Sequence, residues 1–257
     1  MVTLHLIPTD IAQTYDVREW RNVAGVLSTA HPAEWQDVID VLRAFEFRRS
    51  EVLKGGGRKS VIAKRIDTFL EERGWKEKKF TTKIRVDAEE RDSPTHKVDC
   101  FKERVGLEIE WNNKDPFFDR DLNNFRLLFD LRVIDAGVII TRASHLQRIF
   151  KSLGKKVADK YGASTTHMDK LFPRIEGGGG GGCPILAFGI TRAKYVEDAE
   201  PIATESTMLW RGDGGVGLYV QGEYRLAQNS KGRRLRRPWS RVLLPKRHGI
   251  GSLWRAG

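Results

Sequence analysis

The chain has 257 residues, 40% of them hydrophobic and 31% charged, with a net charge of +11 and two cysteines. That balance suits a folded protein with one substantial core, and it excludes a disordered polymer, a disulfide-built scaffold and a chain that crosses membranes on apolar helices. The positive surplus favours a polyanionic partner. The first residues carry no basic segment followed by an apolar core, which predicts residence in the cytoplasm. A core domain is expected over 1–195, followed by a basic, Gly- and Arg-rich extension over 196–257.

In chain order, Val17 to Phe47 carries Trp20, Val23, Leu27, Trp35, Ile39, Leu42 and Phe45 at helix-like intervals, interrupted at His31-Pro32, and predicts two helices. Gly55-Gly56-Gly57-Arg58-Lys59-Ser60 lacks the GxxxxGK[ST] spacing of a nucleotide-binding loop and reads as a flexible basic loop. Ser60 is placed to cap a helix from Val61 to Arg73 with the apolar stripe Ile62, Ile66, Phe69 and Leu70. Phe80 to Val86 alternates as a strand, and Ser93-Pro94-Thr95-His96-Lys97 leads into a hairpin, with His96 a surface turn residue.

The hairpin is predicted from Val98-Asp99-Cys100, a polar break at Lys102-Glu103-Arg104, and the alternation of Leu107, Ile109 and Trp111. Glu108 and Glu110 then share the face opposite to those apolar residues. A two-residue turn at Lys102-Glu103 pairs Phe101 with Arg104, puts Asp99 opposite Gly106 and diagonal to Glu108, and sets Lys97 opposite Glu108. Three carboxylates on one patch repel each other unless a cation compensates, and Mg²⁺ prefers carboxylate, carbonyl and water oxygens. The same spacing also suits a solvated strand face whose acids are paired by Lys97.

Beyond the strand, Asp115-Pro116 reads as a helix start, with Asp the cap and Pro the first helical residue. Leu122, Phe125 and Phe129 continue it at helical spacing to about Leu131, and its positive end would lie near the acidic patch, where a phosphate can dock. Asn112, Asn113 and Lys114 fill the turn between strand and helix; such side chains bond adenine, guanine or phosphate, and the alternative is that an asparagine merely caps the turn. Ala136 to Arg142 is a buried strand, Ser144 opens a helix with Leu146, Ile149 and Leu153, and Pro184 to Ile190 is a further apolar strand. Gly177 to Gly182 reads as a flexible loop before it, and Cys100 and Cys183 as buried thiols. The sum is an α/β or α+β fold, a mixed central β-sheet flanked by helices.

An acid, nine positions, Glu-x-Glu at a strand end, a polar turn and a helix: Asp99, Glu108-Ile109-Glu110, Asn112-Asn113-Lys114 and the segment from Asp115 resemble the BglII and BamHI branch of type II restriction endonucleases, within the PD-(D/E)xK nuclease superfamily. The likeness runs from about Val17 to Ile190 and is tightest from Ser93 to Arg142. It implies a restriction-endonuclease-like fold and Mg²⁺-dependent hydrolysis of double-stranded DNA at a short palindromic site by a homodimer, with a cognate DNA methyltransferase as functional companion. It implies further that Asp99, Glu108 and the backbone carbonyl of Ile109 hold the metal and that the Asn112–Lys114 turn reads bases. Glu110 stands where the superfamily usually has lysine, as in the BamHI-like variant, and is implied to be a general base, a metal ligand or a group that orients water. Some relatives place another acid on the preceding helix, which makes Glu72 either a metal ligand through water or a solvated helix end. A repair nuclease of the same core and a non-catalytic DNA-binding regulator are the rival readings. The cluster Lys231, Arg233, Arg234, Arg236, Arg237 and Arg241 around Trp239 is a DNA-gripping tail, a disordered end, or a segment without a role.

Overall fold

The structure is a computed structural model that describes residues 3–53, 60–93 and 95–198, and three strands between 208 and 226. The chain divides into two compact units, Met1–Ala199 and Glu200–Gly257. The first begins with helix α1 (Thr9–Thr14), strand β1 (Tyr15–Trp20), α2 (Val23–Ala30), α3 (Pro32–Ala44), β2 (Phe47–Arg48), α4 (Arg49–Leu53) and α5 (Val61–Glu71). Strands β3 (Lys76–Lys79), β4 (Thr82–Val86), β5 (Glu89–Ser93), β6 (Lys97–Lys102) and β7 (Val105–Glu110) follow, then α6 (Phe117–Asp130) and β8 (Ala136–Arg142). The unit closes with α7 (Gln147–Ser152), α8 (Lys155–Lys160), α9 (Met168–Glu176), β9 (Ile185–Ile190) and β10 (Tyr195–Val196). The second unit is an antiparallel meander of β11 (Met208–Gly212), β12 (Gly215–Val220) and β13 (Glu223–Leu226). The expected basic cluster at 231–241 and the loop at 55–59 lie outside the described residues.

A mixed six-stranded sheet, ordered β1-β9-β8-β7-β6-β3, organises the first unit. Strands β7, β8 and β9 are mutually parallel and buried along their whole length, because helices cover both faces. One face carries Leu27, Leu42, Ile66, Leu107, Ile140 and Phe188; the other carries Phe118, Leu122, Phe125, Leu171 and Ile175 from α6 and α9. Among the described residues no helix is long and apolar enough to cross a membrane.

Strand β1 departs from the expected helix at Val17. It pairs along its length with β9, from Tyr15 with Ile190 to Trp20 with Ile185, and so satisfies a backbone edge that would otherwise be left unpaired in a buried sheet. Arg21 and Asn22, at φ 57° and 54°, turn the chain out of the strand into α2. The two expected helices are thus confined to 23–44, on either side of His31. The strand expected from Phe80 starts instead at Thr82 and folds back on β5, while Phe80 packs its ring edge-on against Phe101 at 5.2 Å.

Two close approaches set the height of α6 above the sheet. A side chain at Gly137 would put its Cβ 2.5 Å from Phe125 Cδ2, and one at Gly106 3.0 Å from Phe125 Cε1. Gly137→Ala is therefore expected to cost about 1–3 kcal/mol through overpacking, read as a lowered denaturant midpoint at unchanged slope. The glycine run 177–182 is no loose loop: it makes successive turns over α6 and β9, and a Cβ at Gly180 would lie 2.5 Å from Ile185 Cδ1.

Candidate active site

The strands that carry the acids are joined by a tight turn one residue later than the spacing suggested. Glu103 and Arg104, at φ 39° and 71°, form it, so Phe101 faces Gly106 and Cys100 faces Leu107. The shift brings Asp99 beside Glu108, whose carboxylate accepts the Asp99 N–H, and takes Lys97 away from it. Lys97 instead pairs with Lys79 of β3 and places its ammonium 2.7 Å from Glu77. The salt-bridged strand face therefore loses the cation on which it depended. Arg104 holds the turn by binding the carboxylate of Asp135 and the carbonyl of Arg132.

Asp99, Glu108 and Glu110 come together where β7 ends beneath the start of α6. The Ile109 N–H donates to Asp99 Oδ2 at 3.1 Å, and the Asp99 N–H donates to Glu108 Oε2 at 3.3 Å. Glu110 Oε2 accepts from the Asn113 amide at 2.8 Å, and the Thr141 hydroxyl donates to the Glu110 carbonyl at 2.7 Å. Both glutamates are buried, at 0% and 1% exposure. Burial, reinforced by the charges of Asp121 and Asp99, holds the Glu108 carboxyl well above the usual carboxylate range. Burial and the neighbouring Asp121 push Glu110 up to about 9.

Helix α6 adds two residues that the sequence reading did not single out. Asp121 is 1% exposed, raised above its ordinary value chiefly by burial, and bound through Oδ1 to Arg120 at 2.7 Å. The Arg120 guanidinium also reaches Glu110 at 3.5 Å and lies over the Phe117 ring at 4.4 Å. The signal was present: Asp121 falls on the buried stripe of Phe118, Leu122 and Phe125, where an acid is costly without a partner. Asp115, expected as the helix cap, makes no such bond; its carboxylate points to Lys170 at 3.4 Å and Arg174 at 3.8 Å, and Pro116 precedes the first helical residue. Glu72 is exposed at the end of α5 and lines a surface groove of about 380 Å³ with Val41, Phe45, Lys64 and Phe69. His96 is exposed, as expected, and its carbonyl accepts from the Asn124 amide at 3.4 Å.

Among the described residues, no three His, Cys, Asp or Glu side chains stand close enough together to hold a metal ion as they are placed. The donor chemistry nonetheless fits one. Glu108 Oε1 and Asp121 Oδ2 are buried carboxylate oxygens that no hydrogen-bond partner reaches, and hard divalent ions take such oxygens.

The turn after β7 is held from behind. Asn112 is half-buried, while Asn113 and Lys114 are exposed. The Thr166 N–H donates to the Asn113 carbonyl at 2.9 Å, and Lys114 forms a β-bridge with Thr165. Arg142, at the end of β8, is buried and donates to Thr165 Oγ1 at 2.7 Å and the Tyr161 carbonyl at 3.2 Å. Its guanidinium has no carboxylate among these partners, and burial lowers its pKa to about 10.

A comparison with curated proteins finds no match. Residues 15–190, a span that begins with β1, ends with β9 and takes in every strand of the central sheet, match the family model described as restriction endonuclease BglII/BglIII. The chain belongs to the BglII/BglIII restriction endonuclease family and is a type II restriction endonuclease, a hydrolase acting on DNA.

Proposed function

We propose that the protein is a PD-(D/E)xK-type nuclease of the BamHI-like variant that cuts both strands of double-stranded DNA at a short palindromic site, using Mg²⁺. The observation that carries this reading is the convergence of Asp99 of β6 with Glu108 and Glu110 of the buried β7, where Glu108 Oε1 lacks a protein donor. Asp99, Glu108 and the carbonyl of Ile109 hold the cation. When bound, a divalent ion neutralises charge developing on the phosphate and makes water a nucleophile near neutral pH. Glu110 takes the proton of the attacking water in its carboxylate form, which the neighbouring Arg120 and the positive charge of a bound cation both favour. Arg120 shields part of the acidic charge that an incoming phosphate meets.

Asn112, Asn113 and Lys114 read the DNA from the turn beside the acids. Asn113 also donates to Glu110, which couples base reading to the catalytic carboxylate. Asn113→Ala is expected to weaken binding to the cognate duplex by about 1–3 kcal/mol more than binding to random duplex, measured by titration at fixed salt. Equal losses on both would leave Asn113 only the task of orienting Glu110. A palindrome is most simply read by a twofold assembly, so the working form is a homodimer, acting in the cytoplasm beside a methyltransferase that protects host sites.

The deciding experiment incubates the purified protein with unmethylated phage DNA in Mg²⁺ and in EDTA. A discrete ladder in Mg²⁺ alone is the expected result. A smear would replace the site-specific reading with a structure-selective or repair nuclease, and bound but intact DNA would favour a regulator without catalysis.

A further inference from the structure

We propose that Asp121 is a third carboxylate ligand of the metal centre beside Asp99 and Glu108, ligating the cation directly from α6. The inference rests on the nuclease reading of Asp99 and Glu108 and extends it to a residue on a different element. Asp121 sits among Phe118, Leu122 and Phe125 on the helix face turned to the sheet, at 1% exposure. A charge in such a place is retained only where something compensates it.

Arg120 accounts for half of that compensation. Its Nε and Nη2 both meet the same oxygen, Oδ1, at 2.8 and 2.7 Å. Oδ2 receives no donor, and Glu108 Oε1 on the facing strand receives none either. A proton shared between Asp121 and Glu110 would neutralise one charge of the cluster but would leave Glu108 Oε1 as it is. A hard cation that takes Oδ2 from the helix and Oε1 from the strand satisfies both. Arg120 then serves as the fixed counter-charge that keeps Asp121 in place, and α6 becomes part of the metal site as well as its roof.

Direct ligation is distinguished from mere support by a change of ligand. In the full-length protein, Asp121→Cys with Cd²⁺ is expected to give a thiolate-to-cadmium charge-transfer band in the ultraviolet that saturates with added metal, is absent from the wild type under the same treatment, and disappears when Glu108→Gln is added. Absence of the band would overturn the proposal. Should the cysteine variant fail to fold, calorimetric titration of Mn²⁺ without DNA tests whether Asp121 belongs to the metal centre at all. Asp121→Asn is expected to bind at least about tenfold more weakly than wild type, and wild-type affinity in that variant would overturn the ligand role. Glu108→Gln provides the control: if it abolishes Mn²⁺ binding while Asp121→Asn does not, Asp121 alone is reassigned. If neither substitution matters, the metal reading of the whole acidic patch falls with it.

Discussion

Glu108→Ala is expected to reduce DNA cleavage by about 10³-fold or more, since the several kcal/mol that a metal contributes to charge stabilisation convert at about 1.4 kcal/mol per tenfold. Binding to the cognate duplex in Ca²⁺ or without metal should survive the substitution, because Glu108 is fully buried and the reading turn lies beyond the strand. The comparison is a single-turnover cleavage assay beside a binding titration on the same variant. Undiminished cutting would remove Glu108 from the metal site. Loss of binding together with cutting would instead mean that the substitution had disturbed the strand, and Glu108→Gln, which keeps the volume, would decide between the two.

The second large effect concerns stability in the absence of metal. Glu110 is pushed from 4.5 up to about 9, first by burial and next by Asp121, and Glu108 is raised in the same direction. A carboxyl raised in the folded state favours folding fully below its unfolded value, and that contribution is lost as pH rises through the folded value. The metal-free protein should therefore melt at steadily lower temperature between about pH 5 and pH 9. Glu110→Gln, which carries no charge and keeps one acceptor oxygen for the Asn113 amide, should flatten that slope. It should melt above wild type at the alkaline end and with it at the acid end, by about 2–4 °C for each kcal/mol at this chain size. Calorimetry in EDTA across that range provides the measurement, and an unchanged slope in the variant would show that Glu110 does not carry the linkage. Mg²⁺ should lift the wild type most where the slope has cost it most.

The parts of the site that could be read from the chain are those set by short-range alternation. Glu108 and Glu110 had to share a face because a strand repeats every two residues, and the apolar runs at 136–140 and 185–190 read as central because neither alternates with polar residues. The hairpin register escaped because Glu103 and Arg104 carry no glycine or asparagine to advertise left-handed backbone; the turn is held from a distance by Asp135. Strand β1 escaped for a similar reason, since its partner β9 lies at the other end of the domain and the local spacing of Val17, Trp20 and Val23 suited a helix. Asp121 was legible as an acid on the apolar stripe of α6, but that it lies near Glu108 and Glu110 followed only once α6 was laid on the sheet. The glycine run could not be told from a loose linker until Ile185 and Arg126 were seen filling the space that its side chains would need.

The clamp formed by Arg142 and the 161–166 segment separates two tasks that the chain places side by side. The acids are fixed by β6, β7 and α6, whereas the turn of Asn112, Asn113 and Lys114 is propped by Thr166 and by Thr165, whose hydroxyl Arg142 holds. If that turn reads bases as proposed, a residue added to or removed from the prop would move the reading turn and leave the acids where they are. On the proposed reading, a change in the length of that surface segment alters which words are cut without touching a residue proposed to do the cutting.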